Sequence, residues 1–187
     1  MTIFGDISSF AIEAMIEPHL VPPSIPWGRM RIWCQGVSLG NFDDEHCGLD
    51  QSFDGLHDIA NQLDSYWLDE FASMPPIEII DLLDAHLFGW CGDEELEDER
   101  SLEELRKDVD RYGRFSIMTN WGEQFDGIEK PFILCPPTGA VHILSRGFDP
   151  DSNFTLLTTR ADFISAVNNA YIWFQEQRHA LSEPRHA

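Results

Sequence analysis

The sequence predicts a single α+β domain with an antiparallel sheet from N- and C-terminal strands, helices inserted in the middle and a long C-terminal helix. Two observations predict this class. Apolar residues alternate with a period of two near both ends of the chain, and they fall at helical spacing in the middle and near the C-terminus. Strands grouped in blocks, with helices between and after them, favour antiparallel pairing. The 187 residues fit one domain, which we expect to span residues 1–180, followed by a frayed tail over residues 181–187.

The first strands are predicted near the N-terminus. Residues 9–16 and 27–34 each alternate in side-chain character with a period of two, which is typical of strands. Gly36 and Gly40 bracket residues 37–39, so the second strand is expected to turn back into a third.

The second of these strands carries Trp27, Arg29, Arg31 and Trp33 on one face. Arg and Trp are favoured at the energetic centres of protein interfaces, so this face is a candidate recognition stripe. The alternative, which we favour, is a sheet face covered by a helix, whose guanidinium groups pair with nearby carboxylates.

Three helices are predicted in the middle of the chain. The first has apolar residues at helical spacing from Leu56 to Trp67, with Ser52 as its N-cap. The second starts at Pro75-Pro76, where missing amide donors cost least, and ends at Gly89. The third starts at Ser101, which forms a capping box with Glu104.

Strand patterns return after Gly113, where Phe115 and Ile117 alternate with Ser116 and Met118. A hairpin is predicted from residues 131–135 and 140–144, joined by Pro136-Pro137-Thr138-Gly139, and residues 154–158 add one more strand. The segment Thr159-Arg160-Ala161-Asp162 caps the last helix. Its expected apolar stripe consists of Phe163, Val167, Ala170, Tyr171 and Phe174.

The charge of the chain is its most unusual property. There are 33 Asp and Glu residues against 12 Lys and Arg, a net charge of -21. Residues 43–110 hold 22 of the acidic and three of the basic residues, a net of -19, which leaves -2 for the rest. Such a charge makes nucleic acids and anionic membranes improbable partners, because like charges repel during the approach. A basic protein partner and a cation are both compatible with this charge.

Two acidic segments are therefore the candidate partner-binding residues. A continuous negative field speeds association with a basic surface and disfavours wrong partners. The alternative is a solvated loop that only aids solubility. The candidate residues are Asp43, Asp44, Glu45, Asp93, Glu94, Glu95, Glu97, Asp98 and Glu99.

We expect no metal, no cofactor and no catalysis. Residues 43–47 combine carboxylates, an imidazole and a thiol, which are metal-ligand types, but adjacent side chains point in different directions. No GxSxG, P-loop or HExxH motif is present. A metal-dependent hydrolase that uses His46, Cys47 or His142 stays as the alternative.

The cellular compartment is predicted from the cysteines and from the apolar patterns of the sequence. The four cysteines form no CxxC pair and are expected to be reduced. The first residues lack a secretory pattern, and no apolar run approaches the roughly 20 residues of a membrane helix. We therefore expect a soluble cytoplasmic protein.

Three stretches resemble one known family. FGDISSFAIE at residues 4–13 and WGRMRIWCQGVSLGNFD at residues 27–43 resemble the opening of the immunity protein 42 family of bacterial polymorphic toxin systems. FTLLTTRADFISAVNNAYIWF at residues 154–174 resembles the family's ending, a strand, a capped turn and a helix with an Ala-Tyr pair. The resemblance implies a cytoplasmic protein that binds and blocks a cognate toxin without catalysis.

We therefore predict an immunity protein that neutralises a basic toxin domain, such as a nuclease, by occlusion. The main alternative is an acidic binding or regulatory module that has no toxin partner.

Overall fold

The computed structural model describes residues 1–20, 26–91, 94–97, 99–128, 130–146 and 153–182. The strands within this part of the chain are β1 (Thr2–Asp6), β2 (Phe10–Ile16), β3 (Trp27–Cys34), β4 (Val37–Leu39), β5 (Cys47–Gly48), β6 (Trp90–Cys91), β7 (Glu94–Glu95), β8 (Phe132–Leu134), β9 (Ala140–Ser145) and β10 (Phe154–Thr159). The helices are α1 (Asp50–Asn61), α2 (Pro76–Phe88), α3 (Leu102–Tyr112) and α4 (Arg160–Ser182).

The strands pair antiparallel in three sheets. The first has the order β1-β2-β3-β4, with β5 paired to the start of β3. The second has the order β10-β9-β8, and β6 pairs with β7 in a short hairpin. The backbone N–H of Leu157 in β10 donates to the side-chain oxygen of Gln35 at 3.2 Å, which links the second sheet to the β3–β4 turn. The predicted α+β class with antiparallel pairing is confirmed.

Helix α4 covers the first sheet and packs against α1. The ring of Phe163 lies 4.7 Å from that of Phe10 in β2, and Phe174 stacks on Phe53 of α1 at 4.4 Å. The predicted stripe is confirmed, since Phe163, Val167, Ala170 and Phe174 are buried and Tyr171 is packed against the same core. None of the described helices is both long and apolar enough to cross a bilayer. The helix runs through Ser182, and residues 183–187 of the predicted tail lie outside the described residues.

Strand β1 has no alternating pattern in the sequence and was not expected. It pairs with β2 along its whole length, from Thr2 opposite Ala14 to Asp6 opposite Phe10. Gly5 allows this close packing, because a Cβ at that position would lie 2.3 Å from the Phe10 carbonyl oxygen.

Three local predictions were wrong. The first helix ends at Asn61, and a separate 3₁₀ turn begins at Leu63, so Trp67 lies beyond the helix. Ser52 is not the N-cap of α1, because the helix begins at Asp50 and the hydroxyl of Ser52 donates to the carbonyl of Trp121 at 2.7 Å. The predicted strand at Phe115 and Ile117 is a 3₁₀ turn over Gly113–Phe115 followed by one isolated bridge from Ser116. Both apolar side chains are buried, so the alternation reflects burial without a strand.

The predictions for the second and third helices are confirmed. Helix α2 has Pro76 in its first turn and ends at Gly89, whose φ of 74° is in the left-handed region that glycine favours. Helix α3 begins with the capping box, in which Ser101 and Glu104 exchange side-chain-to-backbone hydrogen bonds. Helix α3 packs on α2, and the acidic segment of residues 93–99 lies between them in the sequence.

Candidate partner-binding surface

Backbone hydrogen bonds hold the described acidic residues that follow α2. Glu94 and Glu95 form β7, and the backbone N–H of Leu96 donates to the Gly89 carbonyl at 2.8 Å. Glu95, Glu97 and Glu99 are exposed. The predicted site residues Asp93 and Asp98 lie outside the described residues.

Arg100 fastens this segment to the end of α2. Its guanidinium donates to the carbonyls of Ala85 at 3.2 Å and His86 at 3.0 Å, two of the last four carbonyls of the helix, which have no partner within it. The same group donates to Asp108 of α3 at 2.6 Å.

Asp108 connects the two helices. Its carboxylate accepts from His86 Nδ1 at 3.0 Å as well as from Arg100. These bonds, the one from His86 first, outweigh burial and hold the pKa of Asp108 below its ordinary value. The α2–α3 contact therefore depends on an ionised carboxylate.

An open groove of about 550 Å³ lies between the end of α2, the acidic segment and the first turn of α3. Three glutamates and Arg100 line this groove, and the carboxylate of Glu104 accepts from the backbone N–H and the hydroxyl of Ser101. The lining residues are Ala85, His86, Leu96, Glu97, Glu99, Arg100 and Glu104.

The second predicted segment, Asp43-Asp44-Glu45, lies in the loop that follows β4. Glu45 accepts from Arg29 at 2.9 Å, and Asp44 accepts from the backbone N–H of His46 at 3.1 Å, while Asp43 is exposed. Within the described part of the chain, no hydrogen bond or ion pair joins this loop to residues 94–99. The contacts therefore do not connect the two segments into one site.

The tryptophan and arginine face of β3 is held by buried acids. Arg31 donates to Glu13 at 2.7 Å and Trp33 donates to the same carboxylate at 2.8 Å. The guanidinium of Arg31 also stacks over the rings of Trp33 and Phe42. Burial alone would raise the pKa of Glu13, but the bonds from Arg31 and Trp33 outweigh it and lower the pKa. The predicted pairing of the guanidinium groups is confirmed, but the expected helix cover was wrong: Phe42 of a loop lies over Arg31, while α4 packs on the opposite face of the sheet through Phe10.

Three possible metal ligands come together beside this face. Atoms of Glu17, His19 and Glu45 lie within 4.8 Å of one another. The Arg29 guanidinium already binds both carboxylates, at 2.5 Å to Glu17 and 2.9 Å to Glu45. A metal ion would have to displace this cation, so the cluster is explained as an ion-pair network.

The residues of the hydrolase alternative have unsuitable surroundings. Burial raises the pKa of Cys47 to about 11, and that of Cys34 also to about 11, so both thiols are protonated at neutral pH. His142 is partly buried, which lowers its pKa, and His46 is exposed. Cys34, Cys47 and Cys135 are buried free thiols, as expected for reduced cysteines.

Comparisons with known proteins identify the family. The family model described as Immunity protein 42 matches residues 1–170. The chain belongs to the immunity protein 42 family. The solved structure of CdiI from Burkholderia dolosa AUO158 has 13% sequence identity, covers 92% of this chain and 99% of its own, and superposes with a TM-score of 0.58. That likeness shows a shared fold. A search of curated proteins gives no match.

Proposed function

We propose that this member of the immunity protein 42 family binds a cognate bacterial toxin and neutralises it by covering its functional surface. Family membership over residues 1–170 is the observation that carries the proposal. The fold shared with CdiI supports it. The proposal includes the cytoplasmic location expected from the sequence.

The proposed binding surface is the acidic segment between α2 and α3. Glu95, Glu97 and Glu99 are exposed there. Carboxylates in this arrangement attract a basic surface over a distance and raise the association rate to as much as ~10⁸ M⁻¹s⁻¹ at low salt. The partner in this proposal is a basic toxin domain, and a nuclease would meet carboxylates in place of the phosphates of its substrate.

In this proposal the protein inhibits the toxin by binding to it and catalyses no reaction. A specific complex buries roughly 1,600 Å² of surface in total, enough to cover the substrate cleft of a small toxin domain. The protonated thiols of Cys34 and Cys47 and the ion pairs of Glu17 and Glu45 support a protein that acts by binding.

The test is co-expression in a bacterium with the toxin encoded beside this gene. Growth is expected with the wild-type protein, together with a complex that co-purifies. Growth arrest without a complex would overturn the proposal.

Two double variants with equal changes in charge locate the surface. Glu97→Lys with Glu99→Lys is expected to weaken protection, because both side chains border the groove. Asp58→Lys with Glu176→Lys, at exposed positions on α1 and α4, is expected to protect as wild type does. Equal protection by both would remove the acidic segment from the binding surface and leave the immunity function standing.

A further inference from the structure

Helix α3 presents apolar side chains to solvent. Leu102 is 75% exposed and Val109 is 57% exposed, although both are large aliphatic residues. With the half-buried Leu105 they occupy positions i, i+3 and i+7, which places the three side chains in one stripe along the helix. A shallow pocket of about 210 Å³ lies along this stripe and is lined by Leu102, Leu105, Arg106, Val109 and Asp110.

The adjoining face of α3 is attached to the protein through polar groups and through the buried ring of Tyr112. Asp108 is bound to His86 and Arg100, as described above. At the end of the helix, Glu70 accepts from the Tyr112 hydroxyl at 3.1 Å and from Arg111 at 2.6 Å. Because these bonds and the buried Tyr112 ring hold the inner face of α3, the exposed side chains of Leu102 and Val109 are not needed for its attachment. Exposed apolar stripes of this kind mark interaction sites.

We propose that the stripe of Leu102, Leu105 and Val109 is the apolar anchor of the toxin interface. It receives an aliphatic or aromatic side chain of the toxin, while the acidic groove beside the first turn of α3 receives a lysine or arginine. An apolar centre with charged groups around it is the usual anatomy of a protein interface. The inference rests on the proposed function, because it takes the occupant to be the toxin.

The charge of the surface beyond the stripe favours a basic partner. Arg106 and Asp110 both line the pocket on the stripe and Glu103 is paired with Lys107, whereas the exposed carboxylates of Glu97 and Glu99 lie in the acidic segment before the helix. A second copy of this chain would bring another net charge of -21 to the same surface, which opposes self-association. Nucleic acids and anionic membranes meet the same repulsion. A basic protein surface with one apolar side chain at its centre fits both features.

The experiment measures binding of the purified toxin encoded beside this gene to the full-length protein. Leu102→Ser with Val109→Ser should weaken the complex about 10- to 100-fold, the size of effect seen when central interface residues are truncated. Ile172→Ser with Val37→Ser is the matched control, since these aliphatic residues are 60% and 43% exposed on α4 and β4. The control should bind within about twofold of wild type.

The possible outcomes separate the two proposals. The loss of affinity caused by Leu102→Ser with Val109→Ser should persist at high salt, because these substitutions remove apolar contacts and change no charge. Wild-type protection together with unchanged binding by a folded stripe variant would overturn the anchor and leave the proposed function intact. Absence of wild-type binding would overturn both. A wild-type dimer that the stripe variant dissociates would assign the stripe to self-association and overturn the inference.

Discussion

The carboxylate of Glu13 is buried in the first sheet, where it joins β2 to β3. Its side chain is 3% exposed, and it accepts from Arg31 at 2.7 Å and from Trp33 at 2.8 Å. Glu13→Gln keeps the size of the side chain and an acceptor for Trp33, but it removes the charge opposite Arg31. The variant therefore isolates the contribution of the charge.

The expected loss of stability follows from these contacts. A hydrogen bond to a charged group contributes about 1.5–3 kcal/mol, against about 0.5–1.5 kcal/mol for a neutral one. Arg31 is also left without its counter-charge, but its side chain is 28% exposed and water can partly solvate it. We therefore expect the free energy of unfolding to fall by about 2 kcal/mol, which lowers Tm by about 4–8 °C for a chain of this length.

Urea and thermal unfolding, followed by circular dichroism, measure this loss. The control is Glu103→Gln, whose side chain is 79% exposed in its pair with Lys107 and should leave the transition unchanged. The pKa of Glu13 is lowered in the fold. The ionised carboxylate therefore contributes its full stabilisation of the fold above pH 4.5, the ordinary pKa of a glutamate. The difference in the free energy of unfolding between wild type and Glu13→Gln should narrow as the pH falls through the lowered pKa of Glu13. Equal unfolding midpoints for Glu13→Gln and Glu103→Gln at pH 7 would refute the reasoning.

Three further outcomes are expected. Ser52→Ala should lower the free energy of unfolding by about 1–3 kcal/mol in urea titration, since it leaves two buried hydrogen-bond partners unsatisfied; an unchanged midpoint would contradict this. Gly5→Ala should lower Tm more than Gly36→Ala, because both have positive φ but only Gly5 lacks room for a Cβ; a reversed order would count against the β1 packing. Cys34 and Cys47 should resist a thiol reagent at pH 8 in the native protein and react after unfolding; rapid native labelling would show that these thiols are accessible.

The elements that sequence predicted well carry their signals locally. The capping box of Ser101 and Glu104, the proline at the start of α2 and Gly89 at its end each act within a few residues. Ser52 failed as an N-cap because its hydroxyl partner, Trp121, lies 69 residues away. No local pattern encodes such a contact.

The candidate surface could be predicted only in part, for the same reason. The sequence located the excess of carboxylates, but Glu45 is paired with Arg29 and Glu97 is exposed, a distinction that depends on tertiary contacts. Which side of α3 faces out depends on the bonds of Asp108 to the neighbouring helix. The exposure of Leu102 is therefore a property of the fold that helical spacing alone does not reveal.

Association kinetics with the purified toxin test the central claim, that the acidic segment guides a basic toxin onto this protein. Rate constants are measured by stopped flow at about 0.05 M and about 0.5 M salt for wild type, for Glu97→Lys with Glu99→Lys, and for Asp58→Lys with Glu176→Lys. At low salt the first variant should associate much more slowly than wild type and than the second variant. At high salt the three rates should converge. Equal rates for all three proteins at low salt, or a wild-type rate that does not change with salt, would contradict the claim.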